Sequence, residues 1–173
     1  MNIKEALLQE HSKKQCLKIV TYIGDDKNLF GELITLMLNG EYRVAQRAAY
    51  SVSYCVQKHP ALIKPWFGKM IKKMGDKQTH DAIRRNSLRI LEDDDIPEKY
   101  CGLLFELSNN YLHDINEPIA VRAFSISVMF NIAKKYPDLN NEVKHNAESF
   151  VHCGIPALES RSKNILKQIK NLT

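Results

Sequence analysis

Four arginines recur along the chain at a nearly constant spacing of 38, 37 and 39 residues: Arg47, Arg85, Arg122 and Arg161. Each is preceded, within a few positions, by an acidic residue: Glu41, Asp81, Glu117 and Glu159. Negative charge is favourable at the start of a helix because the positive end of the helix dipole lies there. A regular period of this length indicates tandem repeats, each built from a pair of helices.

Prolines mark the boundaries between helical runs at a similar interval. Pro60, Pro97 and Pro137 each follow one helical pattern and precede another, and the segment 58–62 resembles the segment 135–139. Proline cannot continue a helix, but it can occupy the first turn of the next one. The chain has only 7 Gly and 6 Pro and few runs rich in Val, Ile and Thr, so helix is predicted nearly throughout.

Apolar residues recur at helical spacing, most clearly in the stripe formed by Ile63, Trp66, Phe67, Met70, Ile71 and Met74. That spacing predicts a helix with its apolar side, Trp66 included, in the core. Lysines follow the opposite side and its neighbours: Lys58, Lys64, Lys69, Lys72, Lys73 and Lys77, with His59. We interpret this face as a solvated outer surface.

The periodicity predicts five helix pairs within a single domain that spans residues 1–173. The predicted pairs are 2–9 with 12–23, 27–39 with 41–58, 62–74 with 79–92, 98–112 with 117–135, and 139–152 with 155–171. The acidic run from Glu92 to Asp95 is expected to be a solvated turn between the third and fourth pairs.

This pattern resembles the HEAT and armadillo helical repeats, in which the second helix of each pair carries an arginine early on. The resemblance covers nearly the whole chain and rests on periodic features. It implies an all-α fold, a right-handed α-α superhelix of the HEAT/armadillo kind. The first repeat fits worst, with Lys14 near the arginine position, as expected of a terminal repeat with one face towards water.

The net charge of +5 is unevenly distributed. Residues 1–75 contain 12 Lys and Arg against 6 Asp and Glu, whereas residues 76–173 contain 13 against 14. A regional basic excess of this kind attracts nucleic acid, acidic proteins or an anionic membrane surface.

No catalytic or nucleotide-binding motif is present: the sequence has no GxGxxG, GxxxxGK[ST], GxSxG or HExxH pattern. His145, Glu148 and His152 would share a helix face and could meet a metal ion, but a fourth ligand is missing, so a polar helix face is the preferred interpretation. Cys153 beside His152 leaves a thiol-dependent enzyme as a further alternative. We predict no cofactor and a non-catalytic protein.

The four cysteines, Cys16, Cys55, Cys101 and Cys153, form no CxxC pair and sit among apolar residues. They are predicted to be reduced core thiols of a cytoplasmic protein, with a disulfide as the alternative. No apolar run long enough for a membrane span and no secretory signal are seen, so membrane association is not expected.

A partner-binding surface is predicted on the second helices, which line the concave side of a HEAT-type stack. Its residues are Arg43, Arg47, Tyr50 and Tyr54 in the second pair, Arg84 and Arg89 in the third, and Arg122 in the fourth. Arginine suits carboxylates and phosphates, and tyrosine packs on peptides or stacks on bases. Alternatively, the four repeated arginines stabilise the stack by pairing with the four periodic acidic residues.

The favoured function is therefore a scaffold that binds a protein or peptide on its concave face. The alternative is a nucleic-acid binder, a reduced relative of the HEAT-like alkylpurine DNA glycosylases. That second resemblance is one of fold and charge, because no motif here matches their catalytic residues, and fold alone is weak support for function.

Overall fold

The computed structural model describes residues 1–171 of the chain, and within that range every regular element is a helix. The helices are α1 (Ile3–Gln9), α2 (Lys13–Ile23), α3 (Lys27–Asn39), α4 (Tyr42–Lys58), α5 (Phe67–Gly75), α6 (Asp81–Leu91), α7 (Glu98–His113), α8 (Ile119–Ala133), α9 (Asn140–Phe150) and α10 (Pro156–Lys170). Short 3-10 turns occupy Pro60–Leu62, Lys64–Trp66 and Pro137–Leu139. None of the described helices has the length and apolar character needed to cross a lipid bilayer.

The chain divides into two compact units, Met1–Ile90 and Leu91–Thr173, here called unit 1 and unit 2. Unit 1 contains 16 Lys and Arg against 8 Asp and Glu, a net charge of +8, whereas unit 2 contains 9 against 12, a net charge of −3. The basic excess of the chain is thus a property of unit 1.

In unit 1, the core forms where α4 packs against α2 and α3. Phe30, Leu33 and Ile34 of α3 are fully buried, and α4 presents the small residues Ala45 and Ala48 to the core. Polar side chains begin the first three helices: Asn2, Ser12 and Asp26 each accept a backbone N–H from the first helical turn. Such caps satisfy donors that have no partner inside the helix.

In unit 2, α8 is the central helix. It packs against α7, α9 and α10, and its buried residues point in all directions around the helix axis, including Val121, Ile126 and Met129. A helix that is apolar all round is one surrounded by others. The polar residue Asn131 of α8 donates to the carbonyls of Leu91 (3.0 Å) and Asp94 (2.8 Å), which holds the start of unit 2 against this helix.

The all-α prediction is confirmed, and the predicted helix bounds differ from the observed ones mainly beside prolines. The segment 62–66, predicted as the start of a helix, forms 3-10 turns instead, because Pro65 lacks the N–H that a continuous α-helix would use. The ninth helix ends at Phe150, so His152 and Cys153 lie in the turn that follows and not on a helix face.

Gly40, which separates α3 from α4, is a position where alanine is expected to destabilise the protein. A Cβ atom there would lie 2.4 Å from the carbonyl oxygen of Leu36, so the tight helix connection would have to open. We expect Gly40→Ala to lower the free energy of unfolding by about 1–2 kcal/mol, measured by urea denaturation. Gly75→Ala is the matched control, since its Cβ would meet no atom within 4 Å. An equal loss in both variants would show that the close approach at Gly40 has no energetic effect.

Candidate functional site

Two tyrosines one helical turn apart lie on the surface of α4 in unit 1. The rings of Tyr50 and Tyr54 meet edge to face, with centroids 5.2 Å apart and an interplanar angle of 83°, and their hydroxyl oxygens are 3.4 Å apart. The ring of His11, which precedes α2, stacks near Tyr50 at 6.5 Å and 11°. All three side chains remain at least partly accessible. They form an aromatic platform whose polar edges are available to a ligand.

Hydrogen bonding between these hydroxyls is the main reason that the pKa of Tyr50 lies above its usual value, with partial burial adding to the effect. The positive charge of Arg89 on α6 lowers the pKa of Tyr50 and so partly offsets that rise. Tyr50 is therefore a neutral hydroxyl at physiological pH, able both to donate and to accept a hydrogen bond.

Of the predicted site arginines in unit 1, Arg43 and Arg89 are the exposed ones. Among residues 1–171 neither makes a hydrogen bond or an ion pair, so their donors face solvent. Arg84 is half-buried and already takes part in an interaction within the protein. Tyr50 and Tyr54 thus contact each other on α4, Arg43 is exposed on the same helix, and the charge of Arg89 acts on Tyr50 from α6.

Arg47 and Arg122 serve a different purpose, because each donates to a backbone carbonyl near the end of another helix in its own unit. Arg47 Nη1 lies 2.8 Å from the Leu7 carbonyl in the last turn of α1, and Arg122 Nε lies 3.0 Å from the Leu112 carbonyl in the last turn of α7. Carbonyls in a last helical turn have no partner within their own helix. Both arginines therefore act as side-chain caps, and Arg122 is only 8% exposed.

The fourth repeated arginine, Arg161, forms an ion pair with Glu92 and also donates to the Ser127 hydroxyl. Its guanidinium lies over the Phe124 ring, 4.3 Å from the centroid. Burial raises the pKa of the Glu92 carboxyl, while Arg161 partly offsets the effect. Glu92 is therefore a half-buried partner of α10, whereas the sequence predicted a solvated turn from Glu92 to Asp95.

Three of the four repeated arginines form bonds within their own units, but none of these bonds is with a predicted acidic partner. Glu159 accepts the Gly154 N–H at 2.8 Å and pairs with Lys163 at 3.4 Å, and not with a repeated arginine. Arg85 is half-buried and has no hydrogen-bond partner within residues 1–171. Two of the repeated arginines bind backbone carbonyls and a third binds Glu92, in place of the four predicted acidic residues.

One small cavity lies at the predicted site. It lies between His11, Gln15, Arg47 and Tyr50 and has a volume of about 10 Å³, enough for a single water molecule. This cavity is too small to receive a side chain of a partner.

Cys153, the thiol beside His152, is a partly buried free cysteine, whereas the other three cysteines lie in the core. Cys16, Cys55 and Cys101 are buried free thiols, and burial raises the pKa of all three, that of Cys55 to about 12. A buried thiol held in the protonated form is a poor nucleophile. Within residues 1–171 no three His, Cys, Asp or Glu side chains are grouped so that they could hold a metal ion.

A family model described as a HEAT repeat domain matches residues 3–169, which is nearly the whole chain. The match confirms the family resemblance that the arginine and proline spacing indicated. No curated protein and no solved structure gives a significant match.

Proposed function

Because the chain belongs to the HEAT repeat family, we propose that it is a non-catalytic scaffold that binds a protein or peptide partner through the second helices of unit 1. The proposed contact residues are Arg43, Tyr50, Tyr54 and Arg89, here called the arginine–tyrosine surface. In HEAT repeat stacks the second helices line the concave face, and we place the partner there.

The observation that carries this proposal is the tyrosine pair on α4, accompanied by two guanidiniums that have no hydrogen-bond partner in the described chain. Tyrosine and arginine are among the residue types that most often supply the binding energy at protein interfaces. The net charge of +8 on unit 1 favours a partner with acidic side chains. Arg47, Arg84 and Arg122 were predicted contact residues as well, and we now assign them to interactions within the fold.

We also propose that residues 1–173 act as one repeat domain and that the protein is cytoplasmic. The family match runs continuously across both units, which supports the first proposal. Four free cysteines, three of them buried, support the second, because reducing compartments preserve thiols.

The contact residues are tested with the double variant Arg43→Ala/Arg89→Ala. Partners are first captured with the full chain and identified by mass spectrometry, and the affinity of each is then measured by isothermal titration. We expect the variant to weaken binding about tenfold or more, as is usual when interface arginines are truncated. A control variant, Lys27→Ala/Lys77→Ala, removes the same charge from exposed positions of unit 1 and should change the affinity by less than about twofold. Unchanged binding of all captured partners by the arginine variant would overturn the proposal.

Nucleic acid is the second candidate partner, and the charge of unit 1 together with its tyrosine pair favours it. Fluorescence anisotropy with labelled single-stranded DNA, duplex DNA and RNA separates the two candidates when it is done at low and at physiological salt. Contacts with phosphates weaken steeply with salt, so binding that persists at physiological salt would favour nucleic acid. Release of bases from alkylated DNA would then distinguish an enzyme from a simple binder.

A further inference from the structure

A second candidate binding surface lies on the first helices of unit 1, where α3 and the end of α5 enclose an open groove of about 650 Å³. Thr35 and Leu38 line it from α3, and Trp66, Lys69, Lys72 and Lys73 line it from the other side. We call it the lysine groove. Its volume falls in the range of ligand-binding clefts in proteins.

Trp66 reaches the groove because its position is set by a 3-10 turn and by a glycine. It ends the turn Lys64–Trp66, just before α5 begins, so it falls outside the buried stripe that α-helical spacing predicted. Its indole ring packs on α3 at Gly31, where a Cβ atom would lie only 3.3 Å from the ring. The result is a half-exposed indole that lines the groove.

The groove is strongly basic. Lys69, Lys72 and Lys73 occupy adjacent positions on one side of α5, and none of them pairs with a carboxylate within residues 1–171. The one carboxylate that lines the groove, Asp76, accepts the backbone N–H of Gln78 at 2.9 Å. Because three ammonium groups lie beside an indole, this face combines positive charge with an apolar contact, whereas the sequence predicted only a solvated lysine surface.

We propose that the lysine groove binds an acidic segment of a partner protein in which carboxylates alternate with apolar side chains. The carboxylates would meet the ammonium groups, and the apolar side chains would pack on the half-exposed indole of Trp66. Single-stranded nucleic acid fits less well, because it relies on several aromatic platforms for its bases. Here Trp66 is the one aromatic residue of the lining, and the Lys69 ammonium already lies 4.6 Å from its ring centroid.

The chain contains one tryptophan, so its fluorescence reports directly on this groove. A short acetylated peptide of alternating Glu and Leu is titrated into the full chain while Trp66 emission is recorded. We expect a saturable change in emission with this peptide, and binding at least about tenfold weaker with a peptide that carries Gln in place of Glu. Binding by calorimetry without a change in Trp66 emission would place the peptide elsewhere and overturn the proposal.

A pair of matched triple variants tests the lysines. Lys69→Gln/Lys72→Gln/Lys73→Gln removes the groove charges, and Lys58→Gln/Lys64→Gln/Lys77→Gln removes three exposed charges outside the groove lining. We expect affinity for the acidic peptide to fall about tenfold in the first variant and less than about threefold in the second. Circular dichroism checks that both variants are folded.

If both variants lost the same affinity for the acidic peptide, the binding would result from general charge attraction, and the proposal would be overturned. A labelled single-stranded oligonucleotide that binds more tightly than the peptide, and loses affinity only in the groove variant, would overturn it in favour of nucleic acid. Variants of the arginine–tyrosine surface should leave the peptide affinity unchanged, so this proposal and the proposed function can fail separately.

Discussion

Replacing Arg122 with methionine is expected to lower the free energy of unfolding by about 1.5–3 kcal/mol, the range for a hydrogen bond that involves a charged group. The Arg122 side chain is 8% exposed and donates to the Leu112 carbonyl. Methionine keeps most of the apolar stem but leaves that carbonyl, in the last turn of α7, without its donor. The cost arises mainly from the carbonyl left buried and unsatisfied.

The measurement is urea denaturation followed by far-ultraviolet circular dichroism, with the slope of the transition compared between variants. Arg47→Met is the matched comparison, because Arg47 makes the same kind of bond to the Leu7 carbonyl from a half-buried position. We expect it to cost about 1 kcal/mol, since water can partly replace the lost donor. If Arg122→Met unfolded at the same urea concentration as the unmodified protein, the capping role would be refuted.

The role of these arginines was only partly predictable from the sequence. Their period indicated correctly that they belong to the repeat structure. Their partners could not be predicted, because every residue has a backbone carbonyl and the residue type does not show which one accepts a hydrogen bond. Acidic residues recur at the same period and were therefore the predicted partners of the arginines. Glu159 shows why that prediction was wrong. It satisfies the Gly154 N–H at the start of its own helix, as an acidic residue near a helix N-terminus commonly does.

Helices could be predicted to within a few residues because their apolar spacing and their prolines are local signals. Trp66 was misplaced for an equally local reason: a 3-10 turn at Pro65 shifts the residues before α5 out of the α-helical period. The tyrosine pair on α4 was predictable from a spacing of four residues. The contribution of His11 depends on a tertiary contact that spacing does not report.

Replacing Arg161 with methionine is expected to destabilise the protein by about 2 kcal/mol at neutral pH, less than for a fully buried ion pair because its side chain is 30% exposed. The loss should depend on pH. Burial already raises the pKa of Glu92 in the folded protein above its ordinary value, and Arg161 opposes that rise. Without Arg161, the folded state would hold the Glu92 proton still more tightly.

A carboxyl whose pKa is higher in the folded than in the unfolded state makes the protein less stable as pH rises from the unfolded pKa through the folded one. The difference in unfolding free energy between Arg161→Met and the unmodified protein should therefore be largest at neutral pH and shrink as the pH falls towards 4.5. Adding Glu92→Gln to Arg161→Met should recover much of the loss, since no buried carboxylate remains. Lys163→Met, which breaks an exposed pair with Glu159, should cost less than about 0.5 kcal/mol. A loss that is independent of pH would instead assign the stabilising effect of Arg161 to its contacts with Phe124 and Ser127.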